Sequence, residues 1–380
     1  MGLRVDTKMA GGNAGHVEVV RKEGMPEVHF SPLPKGGSEA LWFRFAVHAD
    51  AEASPPPKIR ISLRHVHEWA DPDQALRLIP VYSPSGQGWH RCTTGELQRQ
   101  EDGRMMLAWT IPYPAPRVEV ALCFPFDAAD RKALSSKCKG YWREDVIGVS
   151  EEGVGLHRWS NDYGSPDGRR QGLYLLAGEY AADTPGQWVW SGCVQQLARV
   201  SRDPFLVWTV PVADPDAAER GVHGRSVYPL DIGRAWCVPP LRHEVAVYQQ
   251  DLQRWSQACK PVLVLNLRAA PPFYQGGVYA TLPAADQAPD QVKASEKWAH
   301  VIQQELGATY ADTDFKRVAE PDPVAAGTCL DYATRVLGVS ALSLHVPFNR
   351  IGTRVLAQKQ YREIGEQLAK ALLRRQASRS

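Results

Sequence analysis

The stretch GEYAADTPGQWVWSG, residues 178–192, combines a turn with a helix start and carries two side chains that could do chemistry. An apolar strand, residues 173–177, runs into it, and residues 184–186 (Thr-Pro-Gly) open the next segment. This succession places side chains at the carboxyl end of a sheet, where open α/β folds bind ligands. Tyr180 and Asp183 would face such a ligand. The local alternative is that both hydrogen-bond the turn and that Asp183 caps the helix.

More polar segments follow predicted strands later in the chain. They are Asp214-Pro215-Asp216, the long excursion from Arg220 to Trp236, Asn266-Leu267-Arg268 and Leu344-His345-Val346-Pro347. Because all of them lie at or just beyond strand ends, we expect them to converge on one crevice with the turn at residues 178–192.

The elements that must position these segments alternate between strands and helices. The strands are predicted at 173–180, 205–212, 261–267 and 340–346, and the helices at 185–199, 241–258, 291–306 and 351–375. This alternation is typical of an α/β fold with a mostly parallel or mixed sheet flanked by helices on both faces.

The first part of the chain has a different pattern. Short apolar or alternating runs lie at 41–47, 58–66, 76–82, 104–111 and 117–124, separated by stretches rich in Pro and Gly. Strands at this spacing, with no helical period among them, indicate a small antiparallel β-sandwich. The sequence therefore predicts two domains, residues 1–145 and 146–380, with a linking segment that contains some helix at 127–150.

Composition limits the classes of partner. The chain has 44 Lys and Arg against 42 Asp and Glu, a formal charge of +2, so neither a nucleic-acid nor a membrane partner is expected. No apolar run is long enough to span a bilayer, and the first residues contain no hydrophobic signal region. The seven cysteines lack CxxC spacing and are typical of buried thiols in a reducing compartment. We expect a cytoplasmic protein.

The order of the polar segments resembles that of the zinc metallocarboxypeptidases, and within them the cytosolic-carboxypeptidase-like subgroup, whose β-sandwich precedes the peptidase domain. The family's His-Pro-Gly-Glu before Thr-Pro-Gly corresponds to Tyr180-Ala181-Ala182-Asp183, and its Asn-Pro-Asp-Gly to residues 214–217. Its Asp-Leu-Asn-Arg corresponds to residues 231–234, its Asp-Leu-His to residues 266–268, and its Thr-x-Glu to residues 343–345. The resemblance implies a carboxypeptidase-like mixed sheet flanked by helices.

The sequence differs from the family at the positions that bind zinc and supply the general base. The resemblance puts Tyr180, Asp183 and Arg268 at the zinc-ligand positions and His345 at the general-base position. Arg268 cannot ligate, because its guanidinium stays protonated and offers no lone pair. At about 4 Å and an effective dielectric near 20, the charge of this guanidinium would disfavour metal binding by roughly 4 kcal/mol for each unit of charge on the metal. The other histidines of this half, at 157, 223, 243 and 300, show no ligand spacing, so we expect neither a metal nor another cofactor.

Two arginines keep the family's pattern. The resemblance makes Arg225 the group that polarises the scissile carbonyl and Arg234 the group that receives the terminal carboxylate, a task that suits the planar guanidinium. With Arg268 they would bias the crevice toward anions. The alternatives are that Arg268 pairs with Asp183, and that Arg225 and Arg234 pair with aspartates 214, 216 or 231.

Three functions remain open at this stage. The first is a non-catalytic binder of peptide or protein C-termini, acidic ones included. The second is a metal-free hydrolase that uses His345 as a general base, although a histidine on such a strand is more often part of the core or its rim. The third is a working metallocarboxypeptidase with its ligands elsewhere.

Overall fold

A computed structural model describes residues 2–22, 24–37, 40–49, 56–66, 70–85, 87–113, 116–164, 167–200, 205–225, 230–284, 289–318 and 327–377. Within the first part of the chain it contains two five-stranded sheets and one short helix. The elements are β1 (Leu3–Asp6), β2 (Gly15–Lys22), β3 (Met25–Ser31), β4 (Arg44–Ala49), β5 (Lys58–Leu63), α1 (Pro72–Ala75), β6 (Val81–Pro84), β7 (His90–Arg91), β8 (Glu96–Arg99), β9 (Met105–Pro112) and β10 (Arg117–Ala121).

These strands form the sheets β1-β4-β10-β6-β7 and β2-β3-β5-β9-β8. All described pairs are antiparallel except β3 with β5, which is parallel. Phe30, Phe43, Phe45 and Trp109 fill the space between the sheets. The predicted run at 76–82 is a strand only at its end, since α1 and a buried loop precede β6.

The rest of the chain builds one eight-stranded mixed sheet. Its strands are β11 (Arg143–Val149), β12 (Gly155–Ser160), β13 (Gln171–Ala177), β14 (Phe205–Val210), β15 (Lys260–Ala269), β16 (Val278–Leu282), β17 (Ala311–Val318) and β18 (Ala341–Val346). They lie in the order β11-β12-β14-β13-β15-β18-β16-β17, and the four central strands from β14 to β18 are parallel. The sequence-based boundary between residues 145 and 146 falls inside β11.

Helices cover both faces of this sheet. They are α2 (Ala128–Lys137), α3 (Thr184–Leu197), α4 (Pro215–Arg220), α5 (His243–Ala258), α6 (Pro289–Tyr310), α7 (Cys329–Asp331) and α8 (Gln358–Ala377), with a hairpin of β19 (Arg350–Ile351) and β20 (Arg354–Val355). Alternate residues of β13 enter two different cores, Leu175 with α3, α6 and α8, and Tyr174 with α5. The predicted mixed α/β sheet flanked by helices is confirmed, although α8 begins later than expected because the β19–β20 hairpin precedes it.

The sandwich and the large sheet share one apolar core. Trp188 of α3 packs edge-on against Phe126 and donates from Nε1 to the Phe124 carbonyl at 3.1 Å. Arg91 of β7 donates to the Phe348 carbonyl at 3.1 Å. None of the helices in the described ranges is long and apolar enough to cross a membrane.

Candidate functional site

The turn after β13 is brought against β15 by a close approach of backbone. Gly186, in the first turn of α3, lies where a Cβ atom would be 2.5 Å from the Leu267 carbonyl oxygen. A glycine is therefore required there. This approach places Asp183, just before α3, next to Arg268 on β15.

Arg268 lies between two buried carboxylates. Its Nη1 is 3.8 Å from Oε2 of Glu179, and its Nε is 3.9 Å from Oδ2 of Asp183. Glu179 also accepts from Trp236 Nε1 at 2.9 Å and from Asn266 Nδ2 at 2.7 Å. We call these five residues the inner cluster. The ion pair expected from the sequence between Arg268 and Asp183 is present, and Glu179 is its second acid.

Asp183 is fixed by backbone donors. Its Oδ1 accepts from Ala269 N at 3.0 Å and its Oδ2 from Tyr180 N at 3.3 Å. It occupies the N-cap position of α3, yet its side chain makes no capping hydrogen bond. The alternative that Asp183 caps the helix is therefore wrong, whereas its bond to the turn is confirmed.

Burial and charge oppose each other in the inner cluster. Burial raises the pKa of the Glu179 and Asp183 carboxyls, and the Arg268 guanidinium works in the opposite direction. Burial alone would lower the pKa of Arg268, but Tyr180, Glu179 and Asp183 outweigh it and raise that pKa. The cation and the two acids are therefore mutually stabilised.

Tyr180 connects the arginines of the crevice. Its ring centroid lies 4.4 Å from Arg268 Cζ and 5.3 Å from Arg225 Cζ, within cation–π range. Its hydroxyl reaches the 3₁₀ turn Ile232–Arg234, where a Cβ on Gly233 would lie 2.3 Å from it. Burial raises the pKa of Tyr180, so the phenol stays neutral. One buried ring thus contacts Arg225 and Arg268 and touches the turn that carries Arg234.

We use the name outer crevice for Arg225, Arg234 and His345, the residues of the expected crevice that lie outside the inner cluster, beside Tyr180 or Arg268. Within the described ranges no carboxylate makes an ion pair with Arg225. Its guanidinium lies over the Tyr180 ring, and its charge acts to lower the pKa of Asp183 and of His345. Arg234 has a third of its side chain exposed and lies 3.8 Å from Oδ2 of Asp231. The predicted pairing with acids of this loop therefore holds for Arg234 and not, within the described ranges, for Arg225.

The two aspartates that follow β14 bind a helix start, an arginine and the loop after β11. Asp214 caps α4 by accepting from Ala217 N at 3.0 Å and lies 3.8 Å from Arg242 Nη1. Burial raises its pKa to about 6. Asp216 accepts from Ser150 Oγ at 2.5 Å and from Glu152 N at 3.0 Å.

His345 stands beside Arg268, its register partner on the neighbouring strand β18. Its ring is stacked on Tyr279 with centroids 4.7 Å apart, and Arg317 Cζ lies 3.7 Å from the centroid of the same tyrosine. Burial, followed by Arg268 and Arg225, lowers the pKa of His345 well below its usual value. The imidazole is therefore neutral and weakly basic.

Sequence reasoning missed Glu179 and Tyr279 as parts of this site, and it placed Asn266 and Trp236 at the crevice without giving either of them a role. A usable signal existed for Asn266, because side chains two apart on a strand share a face and Arg268 was already singled out. Glu179 directly precedes Tyr180 in the turn, and only the register between β13 and β15 brings it to Arg268.

The donor set does not fit a zinc ion. Tyr180, Asp183 and Arg268 offer a neutral phenol, one carboxylate already bonded to two amides, and a cation. Across the described part of the chain, no group of three or more His, Cys, Asp or Glu side chains could hold a metal.

No protein-family model and no curated protein matches this sequence. Solved structures do match its fold. A metallo-carboxypeptidase from Burkholderia cenocepacia superimposes with a TM-score of 0.78 at 15% identity, over 100% of both chains. A metallo-carboxypeptidase from Pseudomonas aeruginosa, in complex with (2-guanidinoethylmercapto)succinic acid, gives 0.75 at 18% identity over 98% of both chains. The chain therefore has the fold of the metallo-carboxypeptidases over its whole length, as the sequence predicted.

Proposed function

We propose that this chain is a non-catalytic protein of carboxypeptidase fold that binds peptide or protein C-termini, acidic ones included, in the outer crevice. The observation that carries the proposal is the position of Arg268, whose guanidinium lies between the carboxylates of Glu179 and Asp183. A cation held by two buried acids takes the role of a structural centre and leaves the inner cluster closed to a metal.

The outer crevice supplies the binding groups. Arg225 makes no ion pair with a described carboxylate, and a third of the Arg234 side chain is exposed beside Asp231. A bidentate contact between arginine and carboxylate contributes on the order of 1.5–3 kcal/mol. The Pseudomonas aeruginosa neighbour is in complex with a succinic acid derivative, which is a dicarboxylate, and the same ligand chemistry suits these two arginines.

Catalysis is less well supported. As a general base His345 would need a pKa near the working pH, whereas burial and Arg268 lower its pKa well below the usual value. A working metallopeptidase would need a donor set that the described residues lack. All seven cysteines are free thiols and six are buried, which supports a reducing, cytoplasmic location.

The test is a calorimetric titration with a glutamate-rich peptide that has a free C-terminus, beside the same peptide amidated at its C-terminus. We expect saturable binding that weakens with salt, weakens on amidation, and falls roughly tenfold to a hundredfold in Arg234→Ala. Arg169→Ala is the control, because that side chain is 87% exposed and lies near Asp167.

Two outcomes would overturn the proposal. One is the absence of saturable binding up to millimolar peptide, or unchanged affinity in Arg234→Ala. The other is release of the C-terminal residue, followed by mass spectrometry with and without added zinc, which would establish an active peptidase.

A further inference from the structure

The strand β2 lies at an uncovered edge of the sandwich. In the described part of the chain β3 is its only neighbour in the sheet, and six of its eight residues are exposed, Val17 and Val19 among them. The backbone N–H and C=O groups on the outer side of such a strand form a template for pairing with another strand. The edge of β2 can therefore accept a further strand.

The regular part of β2 is its second half. Its pairing with β3 shifts in register between Gly15 and Glu18, and from Glu18 to Lys22 five consecutive residues then pair without interruption. No other described edge strand has an uninterrupted run of more than four paired residues. Residues 18–22 are therefore the longest regular edge segment of the described chain, and Val20 is its centre.

The charges of this segment are self-complementary about Val20. Two identical strands that pair antiparallel are related by a two-fold axis, so residues at equal distances on either side of the centre face each other. Glu18 then lies opposite Lys22 of the second copy, and Lys22 lies opposite its Glu18. Opposite charges directly across a strand pair stabilise it, whereas like charges destabilise it. The only register that overlaps the whole regular segment is thus also one that matches charge.

Both charged side chains can reach such a partner. Lys22 is exposed and makes no ion pair within the described ranges. Glu18 contacts Arg64 through Oε2 and keeps 58% of its side chain exposed. In the same register Val19 faces Arg21 of the second copy, whose aliphatic stem can cover it.

We propose that the occupant of this edge is a second copy of the chain, so that the protein forms a two-fold symmetric dimer with β2 paired to β2 about Val20. The sheet β2-β3-β5-β9-β8 and its copy then become one continuous sheet. Pairing over five residues makes a small interface, so the dimer is weak and its population depends on concentration. The pairing uses no residue of the inner cluster or of the outer crevice, and its test is independent of the proposed function.

The experiment is sedimentation-velocity centrifugation of the full-length protein between about 5 and 500 µM. We expect a dimer fraction that grows with concentration. Lys22→Glu puts like charges across the pair and should weaken dimerisation at least about tenfold, and Glu18→Lys should do the same. Lys132→Glu, which makes the same change of charge at an exposed position of α2, is the control and should leave dimerisation unchanged.

Two rescue experiments identify the register. The double variant Glu18→Lys with Lys22→Glu reverses both charges and should dimerise to within about threefold of the native affinity. An equimolar mixture of the two single variants should form mixed dimers, because each chain supplies the charge that the other lacks. Should Glu18→Lys, which also loses its contact with Arg64, fail to fold, the comparison of Lys22→Glu with Lys132→Glu still decides.

The proposal is rejected by a protein that stays monomeric at the highest concentration. It is also rejected if Lys22→Glu dimerises as well as the native chain does. Failure of both rescues, with single variants that are folded by circular dichroism, would assign the dimer to a different surface and overturn the pairing of β2.

Discussion

The inner cluster and the outer crevice meet at Tyr180, but they treat charge in opposite ways. In the inner cluster, Arg268 lies within 3.9 Å of both Glu179 and Asp183. In the outer crevice, Arg225 has the face of a neutral ring as its described contact. Arg268 is held between two acids, whereas Arg225 lies over an aromatic ring.

This difference shows how two buried carboxylates are compensated by a cation of the chain itself. A buried carboxylate is costly unless a cation compensates it, and a metal or an arginine can do so. Arg268 supplies the cation from the chain itself, so the turn at Tyr180 and the start of α3 keep their geometry. The outer arginines differ: Arg225 makes no ion pair within the described ranges, and Arg234 lies 3.8 Å from Oδ2 of Asp231.

The largest expected effect is on zinc affinity. The purified protein should hold no stoichiometric zinc. The triple variant Tyr180→His, Asp183→Glu and Arg268→His should bind zinc at least about a thousandfold more tightly. Two imidazoles and a carboxylate then stand at the ligand positions, and the cation is gone. Elemental analysis and competition with a chelator measure this. The double variant that keeps Arg268 is the control and should gain little, since roughly 4 kcal/mol per unit of metal charge still opposes binding. About one tightly held zinc per native chain would contradict the comparison.

The next effect is on stability. Arg268→Met leaves Glu179 and Asp183 buried without their cation and should lower the free energy of unfolding by about 3–5 kcal/mol. Arg225→Met removes a guanidinium that has no described acidic partner and should change stability by less than about 1 kcal/mol. Urea unfolding of the two variants measures both changes in the free energy of unfolding. Equal losses would mean that both arginines are structural.

The stability loss in Arg268→Met should depend on pH. Burial already raises the pKa of Glu179 and Asp183 above the usual values of these side chains, and loss of the cation raises both further. The folded variant then holds protons that the unfolded chain releases, so its stability is greatest below about pH 4 and falls as pH rises through the folded pKa values. The deficit relative to the native protein should therefore grow between pH 4.5 and pH 7.

The control variant adds Glu179→Gln and Asp183→Asn to Arg268→Met. Its loss of stability should no longer depend on pH, because neither of the two side chains can titrate. A deficit that is constant with pH in Arg268→Met alone would assign the loss to packing instead of charge.

The sequence predicted the fold, because its polar segments follow strands in an ordered series, and it missed the acid that completes the inner cluster. Glu179 reaches Arg268 only through the parallel register that aligns Ala177 with Leu267, which no local pattern encodes. Strands such as β11 and β17 were also missed, because their partly exposed, charged residues lack the apolar runs that predict a strand.

The smallest expected effect concerns the boundary between the two regions. A Cβ on Gly233 would lie 2.3 Å from the Tyr180 hydroxyl oxygen and 2.8 Å from its Cζ. Gly233→Ala should therefore cost about 1–3 kcal/mol by overpacking. In a Tyr180→Ala background the same change should cost almost nothing, so a double-mutant cycle should give a coupling free energy of about 1–3 kcal/mol.

Gly155→Ala is the matched control, because its nearest neighbour is the end of the His157 side chain at 3.2 Å, which can move aside. A coupling of this size would tie the absence of the family's asparagine at 233 to the presence of tyrosine at 180, since the ring that contacts Arg225 and Arg268 needs the space that a larger residue would take. No coupling, with Gly233→Ala tolerated in the native background, would mean that Tyr180 can leave this position. The ring would then not separate the inner cluster from the outer crevice, and the two regions would have to be treated as one site.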